Sequence, residues 1–538
     1  MATKKKAAKK SASSTGAVSK GLNGKAGKGK DFDPSHEAVE ALAATMQEVN
    51  QPRPYTTGRY PIPNKTFDAL KDKANKVKLA KGSATLAKDS GKKEEVSAMP
   101  VMAMAAVPDA PPADAPSPST NFAGFTATGW IPPDCTMATG PSHVVLSVNS
   151  SIAVYPKTGG APLLQRTLTV WFSNVIQGAT IFDPKLLWDQ HASRWVLLAV
   201  AASTPQQPNL SRYLLSISAT SNPLGLWRNY SLDAMVNGTT PTNNWADFPA
   251  LGVDNNALYI TSNQFQFGGG FQYAKIRVVP KAGPYSGGTA PFFDFVNMKN
   301  QNGTTAFTIQ PCHTFGAPQV EYLVNSAFPS GNFVTVWRIV SSGTSFTLFR
   351  TQVSTSNYAL PPNAAQKGNN APLNTGDVRV LHAVFRGDSI WCALTTTRNW
   401  SGTSSQAAIH WFQIRAAIPA LVQEGVYGAA NVHYFYPASC PDNNGNMIMV
   451  FSRSSSNEYG SCYYTGRKST DPLGSLQPSA LLKAGVANYV GLDNGGRNRW
   501  GDYNGVCADP SNPKGIWFYS LFAGAVNRWS TWVGSAFF

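Results

Sequence analysis

An all-β body built from repeated units is what this sequence predicts, behind a basic N-terminal extension. Three observations carry that expectation. Aromatic residues make up 11% of the 538 residues and charged residues only 14%, well under the usual quarter. From residue 121 onward, short apolar runs such as "RWVLLAVAAS", "NFVTVWRIV" and "GIWFYSLFA" alternate with Gly, Pro, Asn and Asp turns, and no amphipathic helix interrupts them. One motif also returns. "WADFPALGVDNNALYITS" (245–262) matches "WGDYNGVCADPSNPKGIWFYS" (500–520), with Trp245 at the place of Trp500, Asp247 at Asp502, Phe248 at Tyr503 and Asp254 at Asp509.

Taken in order, residues 1–30 are Lys, Ala, Gly and Ser with almost nothing large and apolar, which predicts a disordered Lys-rich arm. Residues 31–96 read as short helical segments. Over 33–50, Ser35 can cap, and Val39, Leu42, Met46 and Val49 recur at helical spacing; 64–88 reads as a second, Lys-rich helix. Residues 97–120 are a Pro/Ala-rich linker, and 121–538 are the folded body. The net charge of +16 is uneven. Residues 1–100 hold 20 basic and 10 acidic side chains, leaving 25 and 19, or +6, for the rest of the chain. The body is therefore no obvious nucleic-acid surface, and Lys pairs without interleaved aromatics offer no base readout.

The repeat motif extends further. "YFYPASCPDNNGNMIMVFS" (434–452) fits it, with Phe435 and Tyr436 at the Asp and aromatic places and Asp442 at the turn. "TIFDPKLLWDQHASRWVLLA" (180–199) fits with Asp183 and Pro184, then Asp189. Looser matches start at 131, 311 and 375. "SNPLGLW" (221–227) and "TDPLGSL" (470–476) each follow a start by about forty residues and would close the outer part of a unit. Radial repetition of this kind predicts a β-propeller. The starts count to seven blades, and six or eight fit almost as well.

"FDPKLLWDQHASRWVL", "YPASCPDNNGNMIMVFSRSSSNEYGSCYYTGRKSTDPLGSL" and "RWGDYNGVCADP" resemble a group of bacterial proteins with sialidase-like β-propellers, most of them uncharacterised and taken to be secreted. The resemblance covers 121–538. It implies a propeller and a place at the cell exterior, and it implies no established activity. The Arg-Ile-Pro element and the S-x-D-x-G-x-T-W boxes of true sialidases are absent from the sequence; "DNNGN" (442–446) is at most a remnant. Sialidase activity is not expected.

In a propeller the segments leading into the innermost strands surround one mouth of the central channel. That places Asp134, Asp183, Asp247, His313, Tyr436 and Asp502 on one ring, with Trp245, Trp500 and Tyr503 beside it. Carboxylates with aromatic faces suit a sugar or a hard cation such as calcium. A structural reading stands beside this one: Trp packs between blades and Asp caps a turn, repeated because blades repeat. Arg453, Glu458 and Tyr459 form an alternative site, with Tyr–Glu as nucleophile and base and Arg as a carboxylate clamp, or else a surface ion pair of little worth.

The six cysteines form no C-x-x-C pair and the seven histidines no H-x-H pattern, so no transition-metal motif is present. Disulfides and buried free thiols both fit the Cys spacing. No 18-residue apolar run and no standard signal peptide occur in the sequence. The expected function is a non-enzymatic propeller module that binds glycan or another exposed, anionic polymer. The alternatives are a saccharide hydrolase or lyase using the mouth carboxylates, and a structural component of a surface layer, appendage or particle whose arm and helices dock protein partners.

Overall fold

Alternating apolar runs pair with their sequence neighbours into antiparallel meanders, because a hairpin satisfies backbone groups at the lowest loop-closure cost. The computed structural model describes residues 115–538 apart from 204–206, 343–344, 401, 403 and 494, together with the strands Ala38–Glu40 and Leu42–Ala43. The predicted arm at 1–30, the second helix at 64–88 and most of the linker lie outside the described residues.

The molecule is an all-β propeller. Separate sheets are formed by 136–167, 180–233, 310–359, 433–483 and 505–537. A ten-stranded sheet holds two further meanders, 244–295 and 383–427, joined through His313–Thr314, which pairs parallel with Val253 on one side and Val384–Phe385 on the other. First strands of successive meanders lie side by side, so they are innermost and run in one direction around the axis. Among the described residues, the helices are single turns, Leu168–Trp171 and Ala282–Ser286.

Two boundaries differ from expectation. Strand Ser117–Thr126 starts inside the predicted linker. It pairs with Arg528–Phe537 and forms the outermost strand of the last sheet, so the N-terminal end of the body closes the ring onto the C-terminus. Pro118 is tolerated there because an edge strand needs donors on one side only. Within the predicted helix 33–50, Ala38–Glu40 pairs with Thr347–Phe349 and Leu42–Ala43 with Phe293–Asp294. The unpaired edges of two outer strands offer backbone partners that outweigh helical spacing.

The repeated starts share a backbone device. Register shifts fall between Phe182 and Lys185, between Asp247 and Ala250, and between Phe435 and Ala438. At each, one residue takes a left-handed conformation: Asp183 (φ 51°), Phe248 (φ 52°) and Tyr436 (φ 55°), followed by Pro184, Pro249 and Pro437. Asp134 and Thr308 do the same at their own starts, with φ 52° and 51°. Asp183 is thus level with Phe248 and Tyr436, one place later than the motif's carboxylate Asp247. A bulge with a left-handed residue re-aims the side chains before each inner strand toward the axis.

At the other end of the inner strands, aspartates cap the first turns. Asp254 Oδ1 accepts from the Asn256 and Ala257 amides at 2.7 and 2.8 Å. Asp442 Oδ1 does the same for Asn444 and Asn446 at 2.7 and 2.9 Å. Asp509 takes the Ser511 amide at 2.7 Å and the Trp517 indole at 2.9 Å. These carboxylates substitute for backbone acceptors in tight turns. All six cysteines are buried free thiols.

Candidate functional site

The starts of the inner strands gather Asp134, Asp183, Asp247, Tyr436, Asp502 and Tyr503 at one mouth. They do not face solvent as an open ring. Asp134 is fully buried; its Oδ1 accepts from the Asp502 amide at 2.9 Å, and its Oδ2 accepts from Asn149 Nδ2. Asn149 Oδ1 in turn accepts from the Asp183 amide at 2.7 Å. One carboxylate and one amide therefore clasp the starts of the last, first and second meanders.

Cations that the sequence reading did not assign to the site complete it. Arg499 donates from Nη2 to both Asp502 oxygens at 2.7 and 2.9 Å, and both side chains are buried. Burial opposes the Arg499 charge, but Asp502 and Asp134 outweigh it and raise its pKa. Arg379 donates to Asp377 Oδ1 at 2.7 Å and stacks over Phe248 at 4.0 Å. Against the opposition of burial, Asp377, Asp502 and Asp247 hold it charged. Lys185 points its Nζ at the Tyr503 ring, 3.0 Å from the centroid. Burial lowers its pKa to about 7 even though Asp183, Asp134 and Asp502 favour the charge. Tyr503 donates to the Pro184 carbonyl at 2.9 Å and Tyr436 to that of Asn374 at 3.1 Å. Five carboxylates and the side chains of Lys185, Arg379 and Arg499 thus gather at the mouth, with Asp502 bonded to Arg499 and Asp377 to Arg379.

Beside this network a cavity of about 40 Å³ is lined by Lys185, Gln310, His313, His382, Tyr503 and Asn504. A volume of that order holds only a few waters.

His313 does not belong to the mouth. It pairs level with Val253, six residues downstream of Asp247, toward the opposite end of the channel. Thr308 holds the corresponding start position in its meander. His313 Nε2 lies 2.8 Å from Gln190 Oε1, and the ring stacks on Phe315 at 4.5 Å. Burial, then His382, His191 and Arg386, lower its pKa to about 3, so it stays neutral. Trp245 and Trp500 offer no platform either. Trp245 is buried against Phe265 at 5.5 Å. Trp500 has no exposed surface, meets Tyr489 edge-on at 5.2 Å and donates to Ser452 Oγ at 3.1 Å.

At the alternative site, Arg453 Nε does meet Glu458 Oε2 at 2.9 Å. Its tyrosine is Tyr463, not Tyr459: Tyr463 donates to Glu458 Oε1 at 2.6 Å and lies under the Arg453 guanidinium at 3.8 Å. Tyr459 instead lies beneath Lys367, at 5.3 Å. This is a cross-strand clamp rather than an activated nucleophile. Among the described residues no three His, Cys, Asp or Glu side chains converge on a metal position, and no helix is long and apolar enough to cross a membrane.

A cavity of ligand size lies at the other end of the molecule. It encloses about 720 Å³ between His191, Asn255, Asn256, Lys281, Tyr285 and the Phe293–Phe346 pair, whose rings are 5.0 Å apart. Asp189 anchors its floor, accepting from Lys281 Nζ and Tyr285 Oη, each at 2.7 Å.

No family model matches the chain, and no curated protein matches it in sequence. Solved structures resemble it as folds. The WD40 domain of SCAP from fission yeast is 12% identical over 75% of this chain and 82% of its own, with a TM-score of 0.32. Drosophila Plexin A in complex with Semaphorin 1b is 8% identical over 78% and 87%, with a TM-score of 0.36. A mutant Trypanosoma rangeli sialidase displaying trans-sialidase activity is 9% identical over 65% of this chain, with a TM-score of 0.32, and the chain spans about half of its length (53%).

Proposed function

We propose that this protein is a non-enzymatic propeller of seven blades, a binding module that recognises a glycan or another exposed polymer. The observation that carries this reading is the closure of the mouth. Asp134 and Asp502 are held by Asn149 and Arg499, Asp377 by Arg379, and about 40 Å³ remains beside them. A glycosidase needs two carboxylates facing a sugar across open space. The seven-blade count is supported by the meanders at 136–167, 180–233, 244–295, 310–359, 383–427 and 433–483, and by 505–537 completed with 117–126.

The polymer would meet the cavity of about 720 Å³, whose volume is that of a ligand pocket. The half-buried ring of Phe293 can stack on a sugar, and the exposed amides of Asn255 and Asn256 can pair with hydroxyls. Calorimetric titration with an oligosaccharide panel tests this. The Asn255→Ala/Asn256→Ala variant should weaken binding at least about tenfold, as two lost hydrogen bonds would, while Asp502→Asn keeps it. Turnover of any saccharide that Asp247→Asn abolishes would establish the hydrolase alternative instead.

A further inference from the structure

In the meanders whose four strands follow one another in the chain, the turns after the first and third strands lie at the same end, opposite the charged mouth. Bonds between such turns bear this out: Asn443 N to Pro513 O at 3.1 Å, Ser511 Oγ to Pro141 O at 2.8 Å, Trp195 Nε1 to Ser221 O at 2.9 Å and Ala417 N to Asp388 Oδ1 at 2.9 Å. These turns form one far face.

The turn between the third and fourth strands on this face carries an exposed large apolar residue in four meanders, and Phe537 ends the third strand of the meander that lies among them in the ring. Ile418 is 53% exposed, Leu473 73%, Phe537 39%, Leu163 53%, and Leu224 and Leu226 43% and 47%. The "SNPLGLW" and "TDPLGSL" echoes are the source of two of them: the Pro-Leu-Gly turn lifts its leucine out of the sheet. Indole packing fixes the turn beneath Leu224, with Trp227 Nε1 donating to Pro223 O at 2.8 Å. Basic side chains lie close by in sequence: Arg415 beside Ile418 and Lys468 before Leu473, whereas Lys157 before Leu163 is paired with Asp509 at 2.6 Å and Arg228 after Leu226 donates to the Tyr285 carbonyl at 3.1 Å. Arg415 donates back to the Ile418 carbonyl at 3.4 Å.

We propose that the far face docks on an anionic lipid surface, with the apolar tips entering the boundary between headgroups and acyl chains. Leu163, Leu224, Ile418 and Leu473 occupy equivalent turns of the ring. They are separated by polar turns and form no continuous patch of the kind a protein partner needs. Separate apolar points on one face, with Arg415 and Lys468 beside two of them, match a fluid interface with anionic headgroups. This inference does not rest on polymer recognition; it concerns the rim of the face, not the cavity.

The test is cosedimentation of the full chain with phosphatidylcholine vesicles and with mixed phosphatidylcholine–phosphatidylserine vesicles, at salt high enough to screen the Lys-rich N-terminal segment. The wild type should partition onto the mixed vesicles. Leu163→Ser combined with Leu473→Ser should lower that partition at least about tenfold, because each lost tip forfeits apolar transfer, with an unchanged thermal melt. Three results would overturn the proposal: no partition by the wild type, equal partition by the variant, or a concentration-dependent dimer in sedimentation equilibrium that the variant abolishes. The last would make a second copy of the chain the partner. Oligosaccharide binding by the same variant should be intact, which keeps this outcome separate from the function proposed above.

Discussion

Lys185 holds its Nζ 3.0 Å from the centre of the Tyr503 ring, although the sheets that carry the two residues are separated by the 136–167 sheet. The contact passes the inner strand of the 136–167 sheet. It ties the second meander to the last and sets a titratable amine among Asp134, Asp183 and Asp502.

That amine makes stability depend on pH. Its pKa is 10.5 in the unfolded chain and about 7 in the fold, because burial lowers it. Between those values the unfolded chain holds the extra proton, so stability rises with pH across the window, and the penalty is fully present below about 7. Lys275, also lowered to about 7 by burial, adds a similar slope. Urea unfolding from about pH 7 to about pH 9 should show the rise, and Lys185→Met should remove roughly half of it.

The histidines give the opposite limb. Burial lowers His313 to about 3 and His382 and His433 to about 4, from 6.5. The unfolded chain then takes up protons first as pH falls below 6.5, so stability is lost progressively toward pH 4. His382→Gln can keep the bond to the Ser439 carbonyl, now 3.1 Å from Nδ1, and should make that acid loss shallower in the same unfolding series.

Arg499 and Asp502 should behave as a buried pair. Asp502→Asn leaves a buried guanidinium without its main counter-charge, and should cost about 3–5 kcal/mol in urea unfolding. The double variant Arg499→Met/Asp502→Leu should recover most of that, since two apolar side chains need no desolvation offset. If Asp502→Asn costs under about 1 kcal/mol, Asp502 is only a turn cap.

Several parts of this arrangement are legible in the sequence and others are not, for physical reasons. Period-two apolar runs mark the inner strands, and the motif brings Asp134, Asp183, Asp247, Tyr436, Asp502 and Tyr503 to one mouth. Lys185, Arg379 and Arg499 escape that reading because which face they take depends on the bulge at each start, and a one-residue slip reverses every side chain. His313 is misplaced by the length of an inner strand, because its meander starts at Thr308 with neither Asp nor Trp to mark it. "DPK" after a strand start and "GDVR" at 376–379 are the signals that could have found Lys185 and Arg379. Tyr459 adjoins Glu458 in sequence, but the strand conformation decides which ring meets Glu458, and that ring is Tyr463.

Ring closure should be measurable by truncation. A chain starting at 115 should melt close to the full chain. One starting at 127 lacks the outermost strand of the last sheet and the buried Phe122 and Phe125. It should lose about 5 kcal/mol or more, the transfer energy of two buried aromatics and a strand of hydrogen bonds. Equal melts would show that 505–537 is complete without it.

Trp500 fills its place because Gly460 leaves room. A Cβ at Gly460 would lie 2.4 Å from the Trp500 ring, and Gly140 stands in the same relation to Trp195, also at 2.4 Å. The pairing recurs between different meanders, so a missing side chain on one sheet receives an indole from the next. Gly460→Ala should therefore cost about 1–3 kcal/mol by overpacking. Trp500→Ala should cost about 3–5 kcal/mol by leaving a cavity. Combining Gly460→Ala with Trp500→Phe should be milder than the sum of the single variants, because the smaller ring makes space for the added methyl. Urea unfolding of the three variants decides it. Strict additivity would mean that the indole and the glycine do not share a packing site, and that the motif "RWGDY" is not the interblade wedge its burial implies.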